Sequence, residues 1–211
     1  MSTLIGICGG SGSGKSTLAA KLVAALGADR AGLLAFDTYY RDHGHLCPRQ
    51  RAEVNYDHPD SLDLELFVSH LDALSAHEGI SVPVYDFATH TRSNETTRLD
   101  PREVIVVEGI LLFAFDDIAD RMAMRVFRDC PESTRFKRRV RRDVAERGRN
   151  PESFEKQLAA TLKPMHDKYV QPSMDRAVLI VAGDGDLDAA ARVVLKAFRD
   201  GQRRPQQPLP R

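Results

Sequence analysis

The sequence predicts an α/β fold, a mostly parallel sheet flanked by helices, and two observations carry that expectation. Short, nearly continuous apolar runs recur along the chain, and segments with helical periodicity lie between them. Such runs suit strands covered on both faces, the usual setting of parallel strands. Alternation of the two element types argues for strand–helix–strand units rather than an all-β or all-helical core.

The expected strands cover residues 4–7, 33–36, 104–107, 125–127 and 178–181. One helical stripe, Leu18, Leu22, Ala25 and Leu26, closes on Gly27; a second, Leu64, Phe67, Val68, Leu71 and Leu74, closes on Gly79. A final helix is expected over 187–198, stopping before Gly201. Two stretches depart from the alternation. Residues 82–99, with Pro83 and several threonines, read as a β-hairpin insertion. Residues 135–149 form an arginine-rich helix, the core of a lid over about 133–150. Residues 1–200 thus make one domain, and the proline-bearing tail 201–211 is expected to be disordered.

The bulk numbers narrow the function classes. A chain of 211 residues with 42% hydrophobic residues can bury one sizeable core. Thirty basic residues balance thirty acidic ones, which argues against a general polyanion binder. Cys8, Cys47 and Cys130 show no metal-ligand spacing, so a reduced, cytoplasmic setting is the simplest expectation. No apolar run reaches membrane-spanning length, so no membrane partner is expected.

The strongest local signal is Gly9, Gly10, Ser11, Gly12, Ser13, Gly14, Lys15, Ser16 and Thr17, directly after the first strand and opening the first helix. This is a phosphate-binding P-loop in its required context, which makes the fold that of a P-loop NTPase. Its glycines let backbone N–H groups curl around a phosphate, and the helix N-terminus favours the anion. Lys15 can reach the β- and γ-phosphates, and the Ser16 hydroxyl can ligate Mg²⁺. The second strand ends in Asp37, a carboxylate in the crevice where such sheets bind ligands, able to take a proton from an alcohol facing the γ-phosphate. By itself an aspartate there is more often a cap or turn residue. The strand over 104–107 runs into Glu108, the shape of a Walker B acid that holds Mg²⁺ directly or through water. Guanine-reading and transport-ATPase signatures are both absent from the sequence.

Further segments carry a family resemblance. They are Asp37-Thr38-Tyr39-Tyr40, Asn55-Tyr56-Asp57-His58-Pro59-Asp60, and Val84-Tyr85-Asp86-Phe87 followed by His90 and Arg92. Glu108-Gly109-Ile110, Arg138-Arg139-Val140-Arg141-Arg142-Asp143, Arg147-Gly148-Arg149, Gln157, Pro164, Tyr169 and Pro172 continue the series in order. In these segments the chain resembles uridine–cytidine kinases, from the P-loop to about Gly185. The resemblance implies phosphorylation of the ribose 5′-hydroxyl of uridine and cytidine, with ATP or GTP as donor and Mg²⁺ as cofactor. It implies Asp37 as catalytic base, and Arg142 with Lys15 as catalytic cations. It places Asp57 and Arg139 on the sugar, Tyr85, Phe87, His90 and Gln157 around the base, and Arg147 and Arg149 in the closing lid. It also implies a homotetramer and feedback inhibition by CTP or UTP.

Each role has a plainer competitor. Residues 55–60 could be only a turn before a helix. Tyr85 and Phe87 alternate like a half-buried strand, and His90 alone would more often be a surface hairpin residue. The 135–149 helix carries eight basic residues against Asp143 and Glu146, which suits a lid over a triphosphate but also a solvated face or a nucleic-acid patch. The rival functions are therefore a phosphoribulokinase-like or pantothenate kinase-like enzyme, and a nucleotide-gated nucleic-acid binder. Zero net charge and the pocket motifs weigh against the second.

Overall fold

A computed structural model describes residues 1–147 and 161–203. Five strands form a parallel sheet in the order β2-β5-β1-β6-β7: β1 (Thr3–Cys8), β2 (Ala31–Ala35), β5 (Val104–Gly109), β6 (Met124–Asp129) and β7 (Leu179–Ala182). β3 (Ile80–Asp86) and β4 (Thr91–Leu99) pair antiparallel in a separate two-stranded sheet, the expected hairpin. The helices are α1 (Lys15–Leu26), α2 (Pro48–Glu53), α3 (Leu64–Ser75), α4 (Asp116–Ala119), α5 (Glu132–Arg147) and α6 (Leu187–Arg203). Irregular helical turns fill 163–176.

Both faces of the sheet are covered, as the unbroken apolar strands require. On one face Ile5, Ile7, Val104, Val106 and Val126 pack against Leu18 and Leu22 of α1 and Val194 and Phe198 of α6. On the other, Leu4, Leu34, Ile105, Val107 and Phe127 meet Phe67 and Leu71 of α3 and the 110–113 segment. The parallel register lines up the C-terminal strand ends: Cys8 stands opposite Gly109 and Phe127, and Ala35 opposite Glu108. That edge carries the P-loop, Asp37 and Glu108 together.

Three expected boundaries are corrected. The second strand is Ala31–Ala35, and Phe36 begins a 3₁₀ turn, Phe36–Tyr39, because its ring is drawn into the α3 core. α3 does not run to Gly79: the Glu78 N–H donates to the Ala73 carbonyl and the His77 N–H to that of Leu74, with His77 at φ 66°. This is a Schellman closure with histidine in the left-handed position, so Gly79 is free to precede β3. α6 continues through Gly201 to Arg203 rather than stopping near Phe198. Gly201 has nothing within 4 Å of its side-chain direction, and glycine there weakens a helix by only about 1 kcal/mol. The rest of the expected tail, 204–211, and residues 148–160 lie outside the described residues.

Phe36 and Phe67 stack with centroids 4.1 Å apart, and Tyr39 meets Phe67 edge-on at 4.8 Å. All three are fully buried. Phe67→Ala should therefore cost about 3–5 kcal/mol of stability, read as a lowered urea midpoint with an unchanged slope.

Candidate active site

The P-loop follows β1 as expected. Gly12 holds a left-handed φ of 82°, and a Cβ there would collide with the Arg135 carbonyl on α5, so the loop needs glycine to curl beneath the lid helix. The Ser13 N–H donates to the Gly10 carbonyl at 3.0 Å, closing the turn. Gly9 and Gly10 are buried at its base, Ser11 lines the cleft, Gly14 precedes α1, and Thr17 is exposed in the first turn of α1.

Lys15 sits at the centre of the site. It is buried, with Nζ 3.3 Å from Glu108 Oε2 and 3.9 Å from Asp37 Oδ2. Burial opposes its charge, but the Glu108 and Asp37 carboxylates outweigh that cost and hold its pKa above the ordinary lysine value. The Ser16 hydroxyl donates to Glu108 Oε1 at 2.8 Å. Hydroxyl and carboxylate oxygens beside a phosphate cradle are hard donors of the kind Mg²⁺ takes, and Glu108 is almost wholly buried. The residues present therefore fit a Mg²⁺-bound nucleoside triphosphate.

A cleft opens beside this centre. Ser11, Asp37, Asp57, Tyr85, Phe87, His90, Arg139 and Arg142 all line it. Tyr40 and Ile110 line it too, as does Tyr56. Burial, and then the carboxylates of Asp37 and Asp57, push the Tyr40 hydroxyl well above the usual tyrosine range. Tyr85 is buried and raised chiefly by that burial. It tilts against Tyr40 at 5.2 Å and meets Phe87 edge-on at the same distance. It is thus core and cleft wall at once.

The hairpin delivers His90. Asp86 accepts from the N–H groups of Ala88 and Thr89 and from the Thr89 hydroxyl, tightening a turn that leaves His90 at φ 56°. Its ring stacks on Tyr56 with centroids 4.2 Å apart and planes within 10°. Arg92 ties the hairpin down by donating to Asp63 at 3.1 Å and to the Tyr39 and Tyr40 carbonyls at 3.2 and 2.8 Å. The same side chain thereby braces the segment that carries Asp37.

On α5 the arginines are organised by a carboxylate. Asp143 is fully buried; Arg142 Nε donates to its Oδ1 at 3.1 Å, and Arg139 Nε lies 3.8 Å from its Oδ2. Arg139 Nη1 in turn lies 3.4 Å from Asp57 Oδ1. One chain of charges, Asp57–Arg139–Asp143–Arg142, joins the 55–60 loop to the lid helix. Of the expected site residues, Arg149 and Gln157 lie outside the described residues, and Arg147 ends α5. Tyr40, Tyr56, Arg92 and Asp143 were assigned no role from sequence. Asp143 was discoverable as the i+4 partner of Arg139; Tyr56 and Arg92 act through contacts distant in sequence.

A strand–glycine loop–helix with a buried lysine, a nearby acid pair and an arginine-bearing helix defines a P-loop kinase, a phosphotransferase class that in general uses ATP and Mg²⁺. The chain belongs to the Phosphoribulokinase / Uridine kinase family, whose pattern it matches over residues 4–189. It is 46% identical to a uridine kinase of Chloroflexus aurantiacus (strain ATCC 29366 / DSM 635 / J-10-fl) over 182 residues, 86% of this chain and 87% of that protein. It is 44% identical to a uridine kinase of Shewanella pealeana over 198 residues, 92% of this chain and 93% of that one. In fold it is similar to phosphoribulokinase from Rhodobacter spheroides, with a TM-score of 0.66 at 12% identity over 86% of this chain and 70% of that chain. No helix among the described residues is long and apolar enough to cross a membrane.

Asp143→Ala should loosen Arg142 and Arg139 together. A misplacement of a charged group by about 1 Å can cost on the order of a hundredfold in rate. The variant should lose at least about tenfold in kcat while keeping ATP affinity, as read by steady-state kinetics and nucleotide titration.

Proposed function

We propose that this protein transfers the terminal phosphoryl group of ATP to the ribose 5′-hydroxyl of uridine and of cytidine, giving UMP and CMP. The observation that carries this reading is one cleft in which Asp37 and Arg142 stand beside Asp57, Arg139, Tyr85, Phe87 and His90. A sugar recognised by a carboxylate–guanidinium pair and a ring held among aromatics together describe a nucleoside. The uridine kinase relatives named above support the same acceptor.

In this reading Asp37 takes the proton of the 5′-hydroxyl as that oxygen attacks the γ-phosphorus. The bond to the β–γ bridging oxygen breaks, and ADP leaves. Lys15 and Arg142 stabilise the charge spread over the transferring oxygens, and bound Mg²⁺ supplies further neutralisation of the phosphates. Asp57 accepts from the 2′- and 3′-hydroxyls, with Arg139 held against it. Tyr85 and Phe87 wall the base, and His90 addresses its edge. Arg149 and Gln157 would complete lid and base contacts from outside the described residues. A polar phosphosugar would have no use for the stacked Tyr56–His90 pair, which favours the nucleoside over a phosphoribulokinase-like acceptor.

An imidazole both donates and accepts, so it can serve uracil O4 or the cytosine amino group. ADP release should be observed with both uridine and cytidine, at kcat/KM values within about a thousandfold, the scale of one mismatched polar contact. No turnover of either would sink the proposal. Asp37→Asn should abolish turnover and leave ATP binding by calorimetry nearly unchanged; near-normal activity in that variant would remove Asp37 from the role of base.

A further inference from the structure

A charged residue that the reaction described above does not use lies behind the P-loop. Arg128 belongs to β6, between buried Phe127 and exposed Asp129, and is only 2% exposed. A sheet interior has no need of a guanidinium, and burying one is costly unless its donors are used. Two of its donors are used on backbone carbonyls. Nε donates to the Ser13 carbonyl at 2.9 Å, and Nη2 reaches the Gly183 carbonyl at 3.5 Å. Nη1 has no hydrogen-bond partner among the described residues. Burial, and then the like charge of Arg138, press its pKa down, whereas Asp184 opposes the shift.

The two carbonyls belong to different parts of the site. Ser13 is fully buried in the P-loop. A loop that turns its N–H groups toward a phosphate must turn carbonyls the other way, and in a buried loop those carbonyls need donors. Gly183 follows β7 and begins the loop leading into α6. It is pressed against the rear of the P-loop: a Cβ there would stand 2.9 Å from the Asp129 carbonyl and 3.0 Å from that of Ser13. The Gly183 N–H donates to the Asp129 carbonyl, and its own carbonyl also receives Arg138 Nη1 at 2.7 Å, from the lid helix. P-loop, β6, the post-β7 loop and the lid helix thus meet at two guanidinium groups.

We propose that Arg128 is a positioning residue for the phosphate donor: by satisfying the Ser13 carbonyl from behind, it holds the P-loop in its anion-binding form, and with Arg138 it fixes the 183–186 loop and the lid helix to that loop. The positive charge beside the P-loop backbone also adds to the field that attracts the donor's phosphates. The inference rests on donor binding to the P-loop and not on which acceptor is phosphorylated.

The test is titration of Mg·ATP into the full chain by calorimetry without acceptor, together with KM for each substrate. Arg128→Met leaves the Ser13 carbonyl buried without its donor. It should weaken ATP binding and raise the KM for ATP by about tenfold or more, the usual scale of losing a charge-assisted hydrogen bond. The KM for the nucleoside should stay within about twofold, and Arg128→Lys, which can still reach one carbonyl, should restore part of the loss. Arg138 stands on the more exposed lid helix, so Arg138→Met should fold normally and weaken ATP binding by a smaller factor. Unchanged ATP affinity in Arg128→Met would overturn the proposal. So would equal losses for donor and acceptor, or an unfolded Arg128→Met accompanied by an Arg138→Met of normal ATP affinity. A wild-type protein that binds ATP but phosphorylates no nucleoside would instead defeat the proposed function and leave this measurement standing.

Discussion

The structure depends on holding Lys15 charged in a buried place. An ammonium taken out of water is penalised by burial, and only close opposite charge keeps it protonated. Here Glu108 and Asp37 supply that charge from the ends of β5 and β2, while Lys15 itself opens the helix that follows β1. Three neighbouring parallel strands must therefore end in register. The sheet order β2-β5-β1 and the pairing of Ala35 with Glu108 and of Cys8 with Gly109 achieve this. The core on both faces fixes the sheet, the sheet fixes the three strand ends, and the strand ends place the charges.

The acceptor side is built differently. None of Asp57, Tyr85 or His90 lies on the main sheet; the first is in a loop and the others on the β3–β4 hairpin. The hairpin is tied down by Arg92, which donates to the Tyr39 and Tyr40 carbonyls and Asp63, and Tyr85 also packs into the core, whereas Asp57 faces Arg139 of α5. In the proposed reaction, rigid strands thus hold the groups that meet phosphate, and an appended hairpin holds those that meet the acceptor. Substrate choice can then change through the hairpin and the 55–60 loop without disturbing the phosphate site.

What could be read from the sequence follows the same division. The P-loop, Asp37 and Glu108 were legible because each is a local pattern: glycines before a lysine, or an acid at the end of an apolar run. The cleft residues were legible only through resemblance, since Tyr56 and His90 stack across 34 positions and no periodicity announces such a pair. Arg128 was hidden for a further reason. It lies just beyond the strand expected over 125–127, and only the fold extends β6 to Asp129 and shows that the Arg128 donors end on Ser13 and Gly183. The missed end of α6 has the opposite origin. Its stripe of Ala190, Ala191, Val194, Leu195 and Phe198 stays docked on the sheet, so a single glycine beyond it is too weak a signal to stop the helix.

The lid helix joins the two halves of the site. Its buried Asp143 holds Arg142 toward the phosphate side and Arg139 toward Asp57, and its Arg138 reaches the loop behind the P-loop. Arg139 and Arg142 are spaced so that both can reach one carboxylate, whereas Arg138 points to another surface of the same helix. A single rigid element therefore touches donor loop, acceptor loop and post-β7 loop at once. A movement of α5 would act on all three contacts, although Arg128 of β6 separately holds the Ser13 and Gly183 carbonyls. The geometry of the P-loop, the 55–60 loop and the 183–186 loop is in this way tied to one helix position.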